Sequence, residues 1–175
     1  RQAEAFVRST GCTDIYEAGC GEGMLSLTLA SRVPNLHIRG SDFSEQVIAT
    51  ARENIAGCDP AIELSVADIY SLNPKEHGAE LVLCCEVLEH LERPAEALSV
   101  IARLASRHLV ISVPNEPLWR VLNFARGKYI FDWGNTPGHL NHWSPSAFRA
   151  FLETELIIED MACPLPWTMV LARPR

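Results

Sequence analysis

Several things are scarce in this sequence, and each scarcity removes a class of protein. No apolar run approaches the roughly 20 residues that a membrane-spanning helix needs, so no membrane partner is expected. No signal-peptide pattern opens the chain, which is written from Arg1 without an initiating Met. None of the six cysteines (Cys12, Cys20, Cys58, Cys84, Cys85 and Cys163) forms a C-x-x-C pair, which removes zinc knuckles and dithiol redox motifs. Scattered over a chain able to build a large core, they read as reduced thiols, and a cytoplasmic location is expected. Cys84 and Cys85 sit in an apolar run and read as small buried hydrophobes. Basic residues are scarce too: 15 Lys and Arg against 22 Asp and Glu give a formal net charge of −7. That balance disfavours long-range attraction to nucleic acid or anionic lipid. Repeats and low-complexity segments are missing. What remains is 175 residues, 47% hydrophobic and 21% charged, which suits a single globular domain over 1–175.

Short apolar runs alternate with helical patterns. "DIYEA" is strand-like and runs into a glycine turn, and in "MLSLTLASRV" Leu25 and Leu29 share a helical face. "LHIRGSD" is a second strand. Ser44 is placed to cap a helix whose apolar stripe is Val47, Ile48, Ala51 and Ile55, with Gly57 at its end. "AIELSVAD" alternates with period two, whereas "AELVLCC" is the continuous apolar run of a strand buried on both faces. Pro94 opens a helix, and "HLVISVP" is a fifth strand stopped by Pro114. This alternation predicts an α/β fold, a parallel sheet with helices on both faces. After a helix capped by Ser144, "LIIEDM" and "WTMVLAR" are joined only by "ACPLP", a link short enough to predict an antiparallel hairpin.

Ligands of open α/β sheets bind at the carboxyl ends of the strands. Acids stand at these ends here: Glu17, Asp42 and Asp68 after the first three strands and Glu86 after the fourth. Asp42 lies about 20 residues beyond the glycine turn, where a carboxylate accepts ribose hydroxyls. The turn itself, "EAGCGEG", is not a dinucleotide fingerprint, because Met24 stands where its third glycine belongs. Nor is there a G-K-[ST] of an ATP-binding loop. Glu17 would repel a pyrophosphate and favour an ammonium or sulfonium. A ligand with ribose, adenine, a cationic end and no phosphate is S-adenosylmethionine.

These residues carry a family resemblance over nearly the whole chain. "EAGCGEG", "SDFS", "VADI" and "LVLCCEVLEHLERPAEAL", in this order, resemble the motifs of class I S-adenosylmethionine-dependent methyltransferases, of the methyltransferase 11 and ubiquinone-pathway O-methyltransferase type. The usual K-P-G-G turn before strand five is replaced by "ASRH". The resemblance implies a doubly wound Rossmann-like seven-stranded sheet of order 3-2-1-4-5-7-6 with strand seven antiparallel. It also implies roles. Glu17 orients the methionine amino group. Gly19, Cys20 and Gly21 let the backbone approach the cofactor. Asp42 holds the ribose, and Phe43 packs on the adenine. Asp68 accepts the adenine amino group, with Ile69 as a wall and a backbone donor. The Cys85 and Glu86 backbone lies beside the methionine moiety.

A second constellation surrounds "EVLEH", where Glu86, Glu89 and His90 stand at i, i+3 and i+4, as on one face of a helical turn. Later, "GHLNHW" offers His139 and His142. Three roles compete. Glu86, Glu89, His90 and His142 could ligate magnesium, manganese or zinc; the resemblance extends to metal-dependent small-RNA 3′-end 2′-O-methyltransferases, which share E-x-x-E-H. His90, with Glu89, could instead be a general base. Or Glu89 and His90 only orient the loop before Pro94. The connector 115–143 is long and aromatic, as functional loops are, and is the expected substrate lid. Its candidate contacts are Asn115, Trp119, Tyr129, His139 and His142, with Trp133 and Trp143 as further wall residues. Its basic group, Arg120, Arg126 and Lys128, could meet a phosphate or belong to an amphipathic helix. The expected function is methyl transfer to a small molecule, most readily at oxygen. Methylation of an RNA 3′ end and a non-catalytic S-adenosylmethionine-binding module are the alternatives.

Overall fold

The structure, a computed structural model, describes residues 1–57, 62–116, 118–119 and 138–175. In chain order the elements are α1 (Gln2–Thr10), β1 (Asp14–Ala18), α2 (Met24–Arg32), β2 (His37–Asp42), α3 (Glu45–Asn54) and β3 (Ile62–Val66). Then come α4 (Pro74–His77), β4 (Ala79–Cys85), α5 (Pro94–Leu104), β5 (Ala105–Pro114), α6 (Pro145–Leu152), β6 (Leu156–Ala162) and β7 (Trp167–Pro174). Three-residue 3₁₀ turns at Ile69–Ser71 and Leu88–His90 follow β3 and β4.

The strands form one seven-stranded sheet of order β3-β2-β1-β4-β5-β7-β6. Strands β1 to β5 pair parallel, and β7 runs antiparallel to both β5 and β6. The expected strand order and the antiparallel seventh strand are both present. Strand β4 is central, and Leu81, Val82, Leu83 and Cys84 are fully buried. Alternation along the strand sends Leu81 and Leu83 to one face, with Ile15, Val110, Leu29 and Phe6. Val82 and Cys84 face the other layer, with Leu98, Ile101 and Phe148. Each side of the sheet therefore has its own core, which is why a continuous apolar run was needed.

The caps work as the sequence indicates. Ser44 Oγ accepts from Val47 N at 3.3 Å, and Ser144 Oγ accepts from Ala147 N at 3.2 Å. Two helices, α1 and α4, were not among the expected elements. Helix α1 is held by Phe6 and Val7, buried against the β4 face. Strand β5 starts at Ala105 rather than His108, directly after α5. An irregularity in the β4–β5 register between Ala79 and Leu81 lets Ala79 pair early with Ala105. The free cysteines Cys12, Cys20 and Cys84 are buried. Among the described residues, no helix is long and apolar enough to cross a membrane.

Candidate active site

The glycine turn is tied to the neighbouring strand before it meets any ligand. Gly19 N and Cys20 N both donate to Ser41 O, at 2.8 and 2.9 Å. Gly19 has φ of 78°, a conformation that side chains rarely adopt, and a Cβ there would also collide with Val87. The backbone thus turns tightly and leaves an open cavity above it. Glu17 is 3% exposed and accepts a hydrogen bond from Ser26 Oγ. Burial lifts its carboxyl from the usual range to about 7, partly opposed by the Ser26 bond. Among the described residues no Lys or Arg forms an ion pair with it. A buried carboxylate in this state favours a cationic ligand group.

The cavity lies at the carboxyl ends of β1, β2 and β4, with a volume of about 820 Å³, within the range of small-molecule sites. Gly19, Cys20, Gly21 and Glu17 form its floor, and Asp42, Phe43, Asp68 and Ile69 line one end. Asp42 accepts from Gly21 N through Oδ2 at 3.1 Å and from Ser44 N through Oδ1 at 3.0 Å. Each oxygen keeps a lone pair for a ligand hydroxyl. Asp68 Oδ1 caps Tyr70 N at 3.0 Å, and Ile69 is buried beside it. Phe43 is 80% exposed at the rim, free to cover a flat ring. Cys85 and Glu86 line the cavity too, together with His90, Ser112 and Trp167. Burial pushes the thiols of Cys20 and Cys85 up to about 12, so both stay protonated and unreactive at neutral pH.

Beyond Cys85 the geometry departs from the helical face expected for "EVLEH". Only Leu88–His90 form a turn, and Glu86 has φ of 58°. Its N–H donates to Ser112 O at 3.0 Å, and its Oε1 accepts from Ser112 Oγ at 2.8 Å. Trp167 donates a further side-chain hydrogen bond to it, and burial lifts its carboxyl to about 7. Glu86 is therefore turned toward β5 and β7. Glu89 points inward, 1% exposed, and neither carboxylate oxygen has a hydrogen-bond partner among the described residues. Burial, then the charge of Glu86, pushes its carboxyl to about 8.

His139 joins Glu89 and His90. One ligand atom from each lies within 4.8 Å of the others, and the His90 and His139 rings meet edge to face at 4.8 Å. Burial, then the neighbouring imidazoles, lowers His139 to about 4, so it is a neutral lone-pair donor at neutral pH. The expected four-residue set of Glu86, Glu89, His90 and His142 is thus not the group that the fold assembles. His142 turns to the buried Glu116, Nδ1 to Oε1 at 3.5 Å, with its ring centroid 6.5 Å from that of His139. Asn115 donates its N–H to Pro166 O at 2.9 Å, and Trp119 lies near both His139 and Trp167. Trp143 stacks on Phe151 of α6. Tyr129, Trp133, Arg120, Arg126 and Lys128 lie outside the described residues, as does most of the expected lid.

The family model described as a methyltransferase domain matches residues 15–108. The chain belongs to this family, the class I S-adenosylmethionine-dependent methyltransferases. It is 31% identical over 160 residues to the ubiquinone biosynthesis O-methyltransferase of Aeromonas salmonicida, covering 85% of this chain and 64% of that one. The chain therefore spans less than two thirds of that relative. Among solved structures, the magnesium protoporphyrin IX methyltransferase of Synechocystis with bound SAH shares the fold (TM-score 0.74, 23% identity, 99% of this chain and 81% of that one). So does the small RNA methyltransferase HEN1 (TM-score 0.79, 19% identity, 99% and 24%).

The sequence did not flag Ser26, Ser112, Trp167, Glu116 or Asn141. Each acts on a site residue through a tertiary contact, and a lone Ser, Trp or Asn carries no local signal for that.

Proposed function

We propose that this chain transfers the methyl group of S-adenosylmethionine to an oxygen of a small-molecule acceptor, with a divalent cation held by Glu89, His90 and His139. The observation that carries this reading is the Glu89 carboxyl group, buried beside two imidazoles with neither oxygen hydrogen-bonded among the described residues. Leaving such a group without a partner costs several kcal/mol unless a proton or a cation answers it. One carboxylate and two imidazoles suit zinc or manganese better than calcium.

S-adenosylmethionine supplies an electrophilic methyl group on a sulfonium. A divalent cation, when bound, supplies positive charge that favours the ionised form of an acceptor hydroxyl. The rest is work for the chain's own side chains. Glu17 binds the cationic methionine end, Asp42 the ribose hydroxyls, and Asp68 with Ile69 the adenine. Val87, Leu91 and Trp167 give the cavity wall apolar surface. His90 lines the cavity and also belongs to the cation-holding group, so the acceptor oxygen is held next to the cofactor. Alignment of the two reactants supplies most of the acceleration. That the Aeromonas relative is an O-methyltransferase supports oxygen as the accepting atom.

The test is a methyl-transfer screen of small phenols, sugars and short RNA, with manganese or with EDTA. The expected outcome is transfer to a small hydroxylated acceptor that EDTA abolishes. Transfer that survives EDTA, at wild-type rate in Glu89→Gln, removes the cation and leaves His90 as a general base. Preferential methylation of RNA overturns the small-molecule assignment. Tight S-adenosylhomocysteine binding with no transfer to any acceptor supports a binding module instead.

A further inference from the structure

Residues 138–144 carry His139 in a stretch without helix or strand, so its place depends on individual contacts. Those contacts converge on the turn that carries Glu89 and His90. Leu140 N and Asn141 N both donate to Glu89 O, at 2.8 and 3.0 Å. Gly138 O lies 2.9 Å from His90 Nδ1. The Asn141 carboxamide spends both of its hydrogens on the two ends of the turn, donating to Leu88 O at 3.2 Å and Leu91 O at 2.7 Å. The far end of the loop is secured separately, by Glu116 N donating to Trp143 O at 3.1 Å and by the Trp143 ring on α6.

We propose that Asn141 is the positioning residue of the site, the clip that brings His139 to Glu89 and His90. The inference deepens the function proposed above and rests on Glu89, His90 and His139 acting together. The physical reason is the donor count. Two carbonyls that flank a single turn need two N–H groups on one short side chain, and asparagine provides them. Alanine provides none, serine provides one, and aspartate would set a carboxylate against two carbonyl oxygens. Loss of the clip leaves the His139 half of the loop held to the turn only by its backbone bonds to Glu89 O and by the Gly138–His90 contact, while Trp143 anchors the far end and the sheet and the cofactor cavity stay intact. Asn141 touches neither reactant and acts only through the residues that it holds.

The experiment uses the full chain and titrates manganese(II) into wild type, Asn141→Ala and Asn141→Ser, with S-adenosylhomocysteine affinity measured alongside. Asn141→Ala is expected to bind manganese roughly 10- to 100-fold more weakly, the usual cost of losing a group that orients metal ligands. S-adenosylhomocysteine affinity is expected to stay within about twofold, which reports an intact fold; Asn141→Ser, with one donor left, should fall between. Should Asn141→Ala not fold, Asn141→Ser is scored alone. Asn73→Ala removes another capping asparagine, at the start of α4, and is expected to leave manganese affinity unchanged. Equal weakening by Asn73→Ala would mean general loosening and would overturn the proposal, as would superimposable isotherms for Asn141→Ala and wild type. A second readout needs no metal: nitrogen-15 spectra of histidine-labelled protein. The His90 and His139 imidazole signals should move in Asn141→Ala while those of His37 and His108 stay. If wild type binds no manganese, the cation reading falls, and these signals alone decide the role of Asn141: unmoved signals overturn it.

Discussion

At the glycine turn, Glu17, Asp42 and Asp68 stand on or just after three neighbouring parallel strands, and each is held within that strand-end region: Glu17 accepts from Ser26 Oγ. Asp42 ties Gly21 to Ser44, and Asp68 caps the turn that follows it. In the cluster beside the cavity, Glu89 and His90 come from one turn and His139 from a loop joined to it by contacts 48 to 53 residues apart in the chain. The first group is built into the strand order and the second is assembled from separate pieces. A site of the first kind should lose affinity when its own residues change and little else. A site of the second kind should be sensitive to residues that touch no ligand at all.

The largest effect expected from breaking this contrast is at Glu89. Glu89→Gln should lower EDTA-sensitive transfer by about 100-fold or more, beyond what groups behind metal ligands cost, with S-adenosylhomocysteine affinity nearly unchanged. Equal losses in both groups would mean that the two are one site. Next, Asp42→Ala should weaken S-adenosylhomocysteine binding by roughly 10- to 100-fold, the range for hydrogen bonds to a charged acceptor, and leave manganese binding alone. Calorimetry measures both.

The third effect is on pH. The folded carboxyl of Glu17, at about 7, lies above its ordinary 4.5 because it is buried. A bound ammonium favours the ionised form, so below about pH 7 binding must first expel a proton. Affinity for S-adenosylhomocysteine should fall by up to about tenfold per pH unit below that point and level off above it; Glu17→Gln should flatten the profile. The same sign applies to stability. Glu17, Glu86 and Glu89 bind protons more tightly folded than unfolded, so their contribution is full below about pH 4.5 and is lost as pH rises through about 7 to 8. The melting temperature of the ligand-free protein should decline over that window, and a rise across it would contradict these carboxyls as the titrating groups. The smallest expected effect is at Phe43: with the ring 80% exposed, Phe43→Ala should leave stability within about 0.5 kcal/mol and weaken cofactor binding only a few-fold.

How much of this could be read along the chain differs between the two groups. The β1 glycine turn, Asp42 and the VADI acid are legible as a cavity lining because each stands at a fixed offset from the end of a strand. The hairpin of β6 and β7 is legible because "ACPLP" is too short for a crossover. Helix α1 escapes notice because its buried face, Phe6 and Val7, is too small a pattern against a weak local signal. At "EVLEH" the helical spacing misleads, because Glu86 adopts a left-handed conformation and pairs with Ser112 and Trp167 on strands far along the chain.

The sheet, the family and the cofactor are legible along the chain, since strand periodicity, glycine placement and strand-end acids are local properties. That His139, not His142, lies against Glu89 and His90 emerges only once the chain is folded. Residues 139–144 have no helix or strand to set their course; they are placed by Asn141 on its two carbonyls, Trp143 on α6 and His142 against Glu116, contacts that no spacing within the loop encodes.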